Sequence, residues 1–218
     1  MKTHLILYAL LLLLIPACSD SDSESDPDPE SSLRNKIIDA KWTGEYRYNS
    51  EVNTTFSVSF KKGDSLTWYE LNKLIAGTWS LESNAIEVKL ADGASFKASV
   101  TADEFENFIT NDNAFEMDNL RTSEEVSLDK LRNTTWTGTM QNTTQQVNLE
   151  FDNGPRADVS LNIGIFLDPL NCVVYGNGIL LTEDLSNDPV VYMVFQDELL
   201  IGTGNQNKTT SFTAQKDE

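Results

Sequence analysis

Residue types able to carry out covalent or acid–base chemistry are sparse in this chain. It has one histidine, His4, and two cysteines, Cys18 and Cys172, against 34 acidic side chains. His4 lies in an N-terminal segment that reads as a cleavable secretory signal, so no Ser-His-Asp or Cys-His arrangement and no histidine-based zinc site is expected in the mature chain. Cys172, beside Val173 and Val174, reads as a small buried hydrophobe with no adjacent base or cation to activate it. Carboxylates are left. Asp103, Glu104 and Glu106 are the right types for a paired acid and base, but they sit between apolar runs and read as loop or strand-face charge. The expectation is a non-catalytic protein with no metal and no cofactor. A carboxylate-dependent glycosidase is the enzymatic alternative.

The other side chains with binding chemistry are aromatic. Trp68 and Tyr69 are neighbours, so on a strand their rings point to opposite faces. Tyr46 and Tyr48 share a face. The outward-facing ring of the Trp68–Tyr69 pair, extended by Tyr46 and Tyr48, would form an aromatic surface for stacking on sugars or peptides. Turned inward, the rings would complete a core or a contact between units.

Charge narrows the partners. The chain holds 16 basic and 34 acidic residues, a formal net charge of −18. Such a polyanion repels phosphate backbones, so nucleic acid is not expected as a partner. Partners should be neutral, cationic or reached through apolar contact: a small hydrophobic ligand, a glycan or an envelope protein.

Strands must position these groups, because apolar residues alternate almost everywhere with period two. Phe56, Val58 and Phe60 form one such series, Ile86, Val88 and Leu90 another, and Val159, Leu161, Ile163, Ile165 and Leu167 the longest. Turn chemistry separates the runs at Lys62-Gly63-Asp64, Asp92-Gly93, Asn153-Gly154, Gly176-Asn177-Gly178 and Gly204-Asn205. The fold class is therefore all-β, an antiparallel meander. Two brief helices are predicted, at Leu33–Ile38 and Ser123–Leu131, the second opened by Thr122 and Glu125 at capping-box spacing.

A repeat is visible. Ile37 lies five residues before Trp42-Thr43-Gly44, and Leu131 lies five before Trp136-Thr137-Gly138. Phe56-x-Val58-x-Phe60 is answered by Val147-x-Leu149-x-Phe151. Two related units of about ninety residues follow, forming two small barrels or one shared barrel or sandwich. A rival register starts the equivalence at Thr78-Trp79 instead. Bulky inward residues, Phe56, Phe60, Phe96, Val147 and Phe151, would fill barrels of this size.

The N-terminus carries a separate message. Lys2 precedes an apolar run from Leu5 to Ile15, too short against the roughly 20 residues of a bilayer span and typical of a secretory signal. From Ser19 to Glu30 every second residue is acidic, which predicts a solvated, disordered spacer. Ile15-Pro16-Ala17-Cys18 resembles a bacterial lipoprotein signal, with Pro16 as its one departure. An acidic tract directly after the cysteine is similar to the surface-export signal of Bacteroidetes-type lipoproteins. That resemblance implies cleavage before Cys18, lipid on its sulfur, and anchorage to the outer membrane, facing the exterior.

The folded part has a resemblance of its own. A short turn and then a tryptophan near a glycine, opening an antiparallel meander, is similar to the first strand of lipocalin-like (calycin) barrels. Gly77-Thr78-Trp79 has that family's order, whereas Trp42-x-Gly44 and Trp136-x-Gly138 place the glycine after the ring. This resemblance implies a small hydrophobic ligand held inside a barrel. The expected organisation is a signal peptide over residues 1–17, lipidated Cys18 with its spacer over 18–32, one β unit over 33–122 and a second over 123–218.

Overall fold

The computed structural model describes residues 29–49, 52–154, 156–161, 165–166, 170–183, 186–204 and 210–218. The signal, Cys18 and the acidic tract through Asp28 lie outside them. Helix α1 (Pro29–Asp39) leads into unit 1, whose strands are β1 (Trp42–Tyr48), β2 (Thr54–Phe60), β3 (Ser65–Glu70), β4 (Lys73–Glu82), β5 (Ala85–Leu90), β6 (Ser95–Val100), β7 (Phe105–Thr110) and β8 (Phe115–Thr122). A 3-10 turn (Leu128–Lys130) opens unit 2, with β9 (Thr134–Met140), β10 (Gln146–Phe151), β11 (Arg156–Leu161), β12 (Ile165–Phe166), β13 (Leu170–Tyr175), β14 (Gly178–Thr182), β15 (Pro189–Gln196), β16 (Leu199–Gly204) and β17 (Thr210–Lys216). Among the described residues no helix is long and apolar enough to cross a membrane.

Each unit is its own antiparallel, barrel-like sheet, so a single shared barrel or sandwich is ruled out. In unit 1 the order is β7-β6-β5-β4-β3-β2-β1-β8. The two end strands meet where Glu104 bridges to Arg121 and Thr122 N–H donates to the Asp103 carbonyl at 2.7 Å. In unit 2 the order β10-β9-β17-β16-β15-β14-β13-β11 closes through β10–β11 pairing, with β12 added outside. Closure leaves few free strand edges to recruit another chain.

The units share a starting geometry. Trp42 pairs with Val58 and Gly44 with Phe56; Trp136 pairs with Leu149 and Gly138 with Val147. This is the register that keeps Trp-Thr-Gly and the strand after it, and the rival start at Trp79 falls instead in the fourth strand. Each first strand also pairs with the last strand of its unit, Gly44 opposite Leu120 and Gly138 opposite Ala214. Trp42 Nε1 donates to the Ile37 carbonyl at 2.8 Å. Trp136 Nε1 reaches the matching Leu131 carbonyl through the Thr134 hydroxyl, which accepts from the ring and donates onward. Both tryptophans are buried and tied by these bonds to the segment that precedes the first strand of their unit.

Three local expectations change. Helix α1 begins at Pro29 rather than Leu33, because proline suits the first helical position, where its missing N–H goes unused. Residues 123–127 form neither helix nor strand, and Ser127 caps the 3-10 turn in place of Thr122, which belongs to β8. Tertiary partners override the local signal there. Ser123 N–H donates to the Lys41 carbonyl, Val126 N–H to Asn177 Oδ1, and the Val126 side chain is buried in unit 2. Finally, the longest alternating series is two strands, since β12 pairs antiparallel back onto β11.

The core is double. Trp42, Phe60, Trp79 and Phe105 pack edge-on or stacked at the α1 end of unit 1, where Arg34 lies 4.6 Å over the Trp79 ring. Leu149, Phe151, Ile179, Leu181 and Met193 fill unit 2, with Cys172 among them. A third cluster joins the units. Leu71 packs with Tyr192, Val194 and Ile201, and Tyr69 and Tyr175 lie against it.

Candidate functional site

The end of unit 1 opposite α1 stays open. A cavity of about 710 Å³ lies there, built from the C-terminal ends of β1, β3 and β5, the start of β4, and the β5–β6 and β7–β8 turns. Strand parity explains the lining. Leu66, Trp68 and Glu70 share the inward face of β3, so the last inward position of that strand is a carboxylate at the mouth. Lys73, paired directly with Glu70 across the β3–β4 hairpin, supplies a cation at the same level.

Glu70 is 1% exposed, yet it is surrounded by donors. Tyr46 OH donates to its Oε2 at 2.7 Å and Trp68 Nε1 to the same oxygen at 3.3 Å. Lys73 Nζ stands 3.7 Å from Oε1 and 3.9 Å from Asp92 Oδ2. A buried carboxylate is tolerated only with such partners. Burial first, and the Glu70 charge second, push the Tyr46 phenol well above its ordinary value, so it remains a donor. Tyr48, Phe115, Ile75 and Leu90 complete an aromatic and aliphatic wall, and Asp112 sits on the rim.

The sequence-predicted binding residues therefore split. Trp68, Tyr46 and Tyr48 do come together, but around the inside of a barrel mouth rather than on an outer platform. One face of Trp68 is covered by Phe56, stacked at 3.6 Å with an interplanar angle of 9°. Tyr69 faces outward as its parity demands, and its ring is taken up by the contact with Tyr175 of unit 2 at 5.2 Å. Only Tyr48, 49% exposed, shows much ring to solvent. The repeat-start residues Trp42, Gly44, Trp136 and Gly138 are structural.

Glu70 and Lys73 are the residues sequence reasoning missed. Both flank a tight hairpin and read as solvated turn charge. The signal that could have found Glu70 was its parity with Leu66 and Trp68. Asp103, Glu104 and Glu106 lie apart from this mouth, and Glu104 is paired with Arg121 at 3.8 Å. A second cleft of about 910 Å³, lined by Trp136, Phe195 and Lys130, holds no buried charged side chain. Among the described residues no group of three or more His, Cys, Asp or Glu side chains is placed to hold a metal ion. No family model, curated protein or solved structure matches this chain.

Proposed function

We propose that this chain is a non-catalytic binding lipoprotein, tethered through Cys18 to the outer membrane with its barrels facing the exterior, and that unit 1 takes a small molecule into its mouth. The observation that supports the binding half is the pairing of a cavity of about 710 Å³ with a nearly inaccessible, donor-ringed carboxylate. The volume falls within the roughly 300–1,000 Å³ of small-molecule sites, which combine apolar walls with a few fixed polar groups. A glycan platform has less support, because the rings that would stack on a sugar are turned inward or covered. The anchor rests on Ile15-Pro16-Ala17-Cys18 and the acidic tract after it.

Two measurements test the two halves. Protein purified without detergent should bind the neutral fluorescent probe N-phenyl-1-naphthylamine saturably, and Ala94→Trp, which places a large ring in the mouth, should reduce that binding at least fivefold. Equal binding by both proteins would remove the cavity from the reading. Cells fed radiolabelled palmitate should label the chain, and Cys18→Ser should abolish the label. A labelled Cys18→Ser protein would remove the anchor.

A further inference from the structure

We infer that the contact between the two units is an acid-strengthened clasp centred on Glu45: when this carboxylate takes up a proton, unit 2 seats more firmly on unit 1. What unit 1 binds does not enter, because Glu45 lies on the outer face of β1, opposite the face that carries Tyr46 into the mouth.

Strand parity sets the position. Trp42 and Tyr46 point into the core of unit 1, so Thr43, Glu45 and Arg47 share the outer face of β1. The cross-strand neighbours of Glu45 are Thr55 on β2 and Asn119 on β8, and unit 2 holds both. Thr55 N–H donates to Thr203 Oγ1 at 2.7 Å, and Asn119 Oδ1 accepts from Gln196 Nε2 at 3.2 Å. Two amides steady the carboxylate. Asn119 Nδ2 donates to its Oε2 at 3.5 Å, and Asn53, just ahead of β2, hydrogen-bonds it as well. Asn53 is in turn gripped by unit 2: its N–H donates to Gln141 Oε1 at 2.9 Å, and its Oδ1 accepts from Gln141 Nε2 at 3.3 Å. Both amides that touch Glu45 are therefore bonded across the seam. On the same face the Thr43 hydroxyl is buried and no described residue partners it, so this face is closed over without being fully satisfied.

The nearby cations are committed to other acids. Arg47 is shared between Glu116 at 3.3 Å and Asp118 at 3.5 Å. Arg121, further along β8, is held by Glu104 at 3.8 Å and by Asp197 of unit 2 at 3.4 Å. The groups packed around Glu45 from β2 and from unit 2 (Asn53, Thr55, Gln141, Gln196 and Thr203) are neutral. A largely buried carboxylate with amide donors but no counter-charge is disfavoured against its neutral form. Burial therefore raises the Glu45 carboxyl above its ordinary value, Asn53 and Asn119 lower it in part, and the like charge of Asp118 adds to the rise. With the units closed, Glu45 thus holds a proton more tightly than when water reaches it. The closed contact gains as pH falls through the raised value, and the gain is complete below the ordinary glutamate value of about 4.3. For this group, the contact is weakest at neutral pH.

Thermal unfolding of the full chain between pH 7.5 and pH 4.5 tests this, with Glu45→Gln as the permanently neutral form. At pH 7.5 the variant should melt about 3 °C or more above wild type, and the gap should close as pH falls. The general loss of negative charge acts on both proteins alike, so the gap isolates Glu45. Hydrogen exchange corrected for intrinsic rates then locates the effect. At pH 7.5 the amides of β15 and β16 should exchange about threefold more slowly in Glu45→Gln than in wild type, while those of β5 and β6, on the far side of unit 1, stay as they are. A variant that melts at or below wild type at pH 7.5, a gap that does not close with pH, or a slowing spread evenly over both regions would overturn the inference. Where Glu45→Gln does not fold, the carbon-13 titration of the Glu45 carboxyl in wild type decides: a midpoint above the ordinary glutamate value upholds the clasp, and one at or below it removes it.

Discussion

At the scale of single residues, the decisive feature is a carboxylate placed where carboxylates are rare. Glu70 is retained because Tyr46, Trp68 and Lys73 converge on it, and two of those partners are themselves buried. Burial also shifts the groups around the two cores. Tyr46 and Tyr192 are raised above the ordinary phenol, mainly by desolvation, and Cys172 is pushed up to about 12 by burial and then by Asp152. A raised folded-state pKa means the stabilisation is complete below the unfolded value, about 10 for tyrosine and about 8.5 for cysteine. It is lost as pH climbs through the folded value. In an alkaline titration, the tyrosinate absorbance of Tyr46 and Tyr192 should therefore appear together with unfolding, and Tyr46→Phe should shrink that coupled step. A Tyr46 signal appearing while the fold is intact would contradict the buried hydrogen bond. The opposite orientations of Trp68 and Tyr69 were legible from alternation alone. Which of the two faced the core was not, because both flanking faces of β3 end up covered.

At the scale of elements, the repeated Trp-Thr-Gly start is explained by how closely strands approach. A Cβ on Gly44 would lie 2.2 Å from the Asn119 carbonyl oxygen, and one on Gly138 would lie 2.0 Å from that of Thr213. In both units the glycine lets the last strand close onto the first. Gly138→Ala should thus lower stability by about 3 kcal/mol, an overpacking cost at the high end because backbone is what must yield. Urea unfolding will read this directly, and a change below about 0.5 kcal/mol would mean that the seam has slack. The spacing from Ile37 to Trp42 and from Leu131 to Trp136 was visible in the sequence. The hydrogen bonds that give it meaning were not, since one is direct and the other runs through Thr134.

At the scale of the molecule, the outer face of β2 is buried by unit 2. Ser57 Oγ and Tyr192 OH are 2.7 Å apart, and Thr55 N–H donates to Thr203 Oγ1 at 2.7 Å. The β13–β14 turn inserts here. Asn177 N–H donates to Ser57 Oγ at 3.0 Å, while Gly176, at φ +65°, presses on Tyr69, where an added Cβ would come within 2.5 Å of the ring. Calorimetry of the wild-type chain should accordingly give one unfolding transition. Gly176→Val should split it into two, because the side chain wedges the units apart while each barrel keeps its own core. A single, unshifted transition in the variant would show that this contact does not couple them.

Period-two alternation, the turn residues and the paired tryptophan starts were set by sequence alone, because they depend on backbone sterics and on local contrast between apolar and polar side chains. The helix ends and the route of residues 123–127 were decided by hydrogen bonds to distant elements. The same holds for the site. Polar Thr55 and Ser57 and aromatic Tyr69 look like a solvated face until residues more than a hundred positions later cover them. Glu70 looks like hairpin charge until strand order places it beneath an open mouth. Burial is a property of what lies opposite, and what lies opposite is known only once the chain has closed.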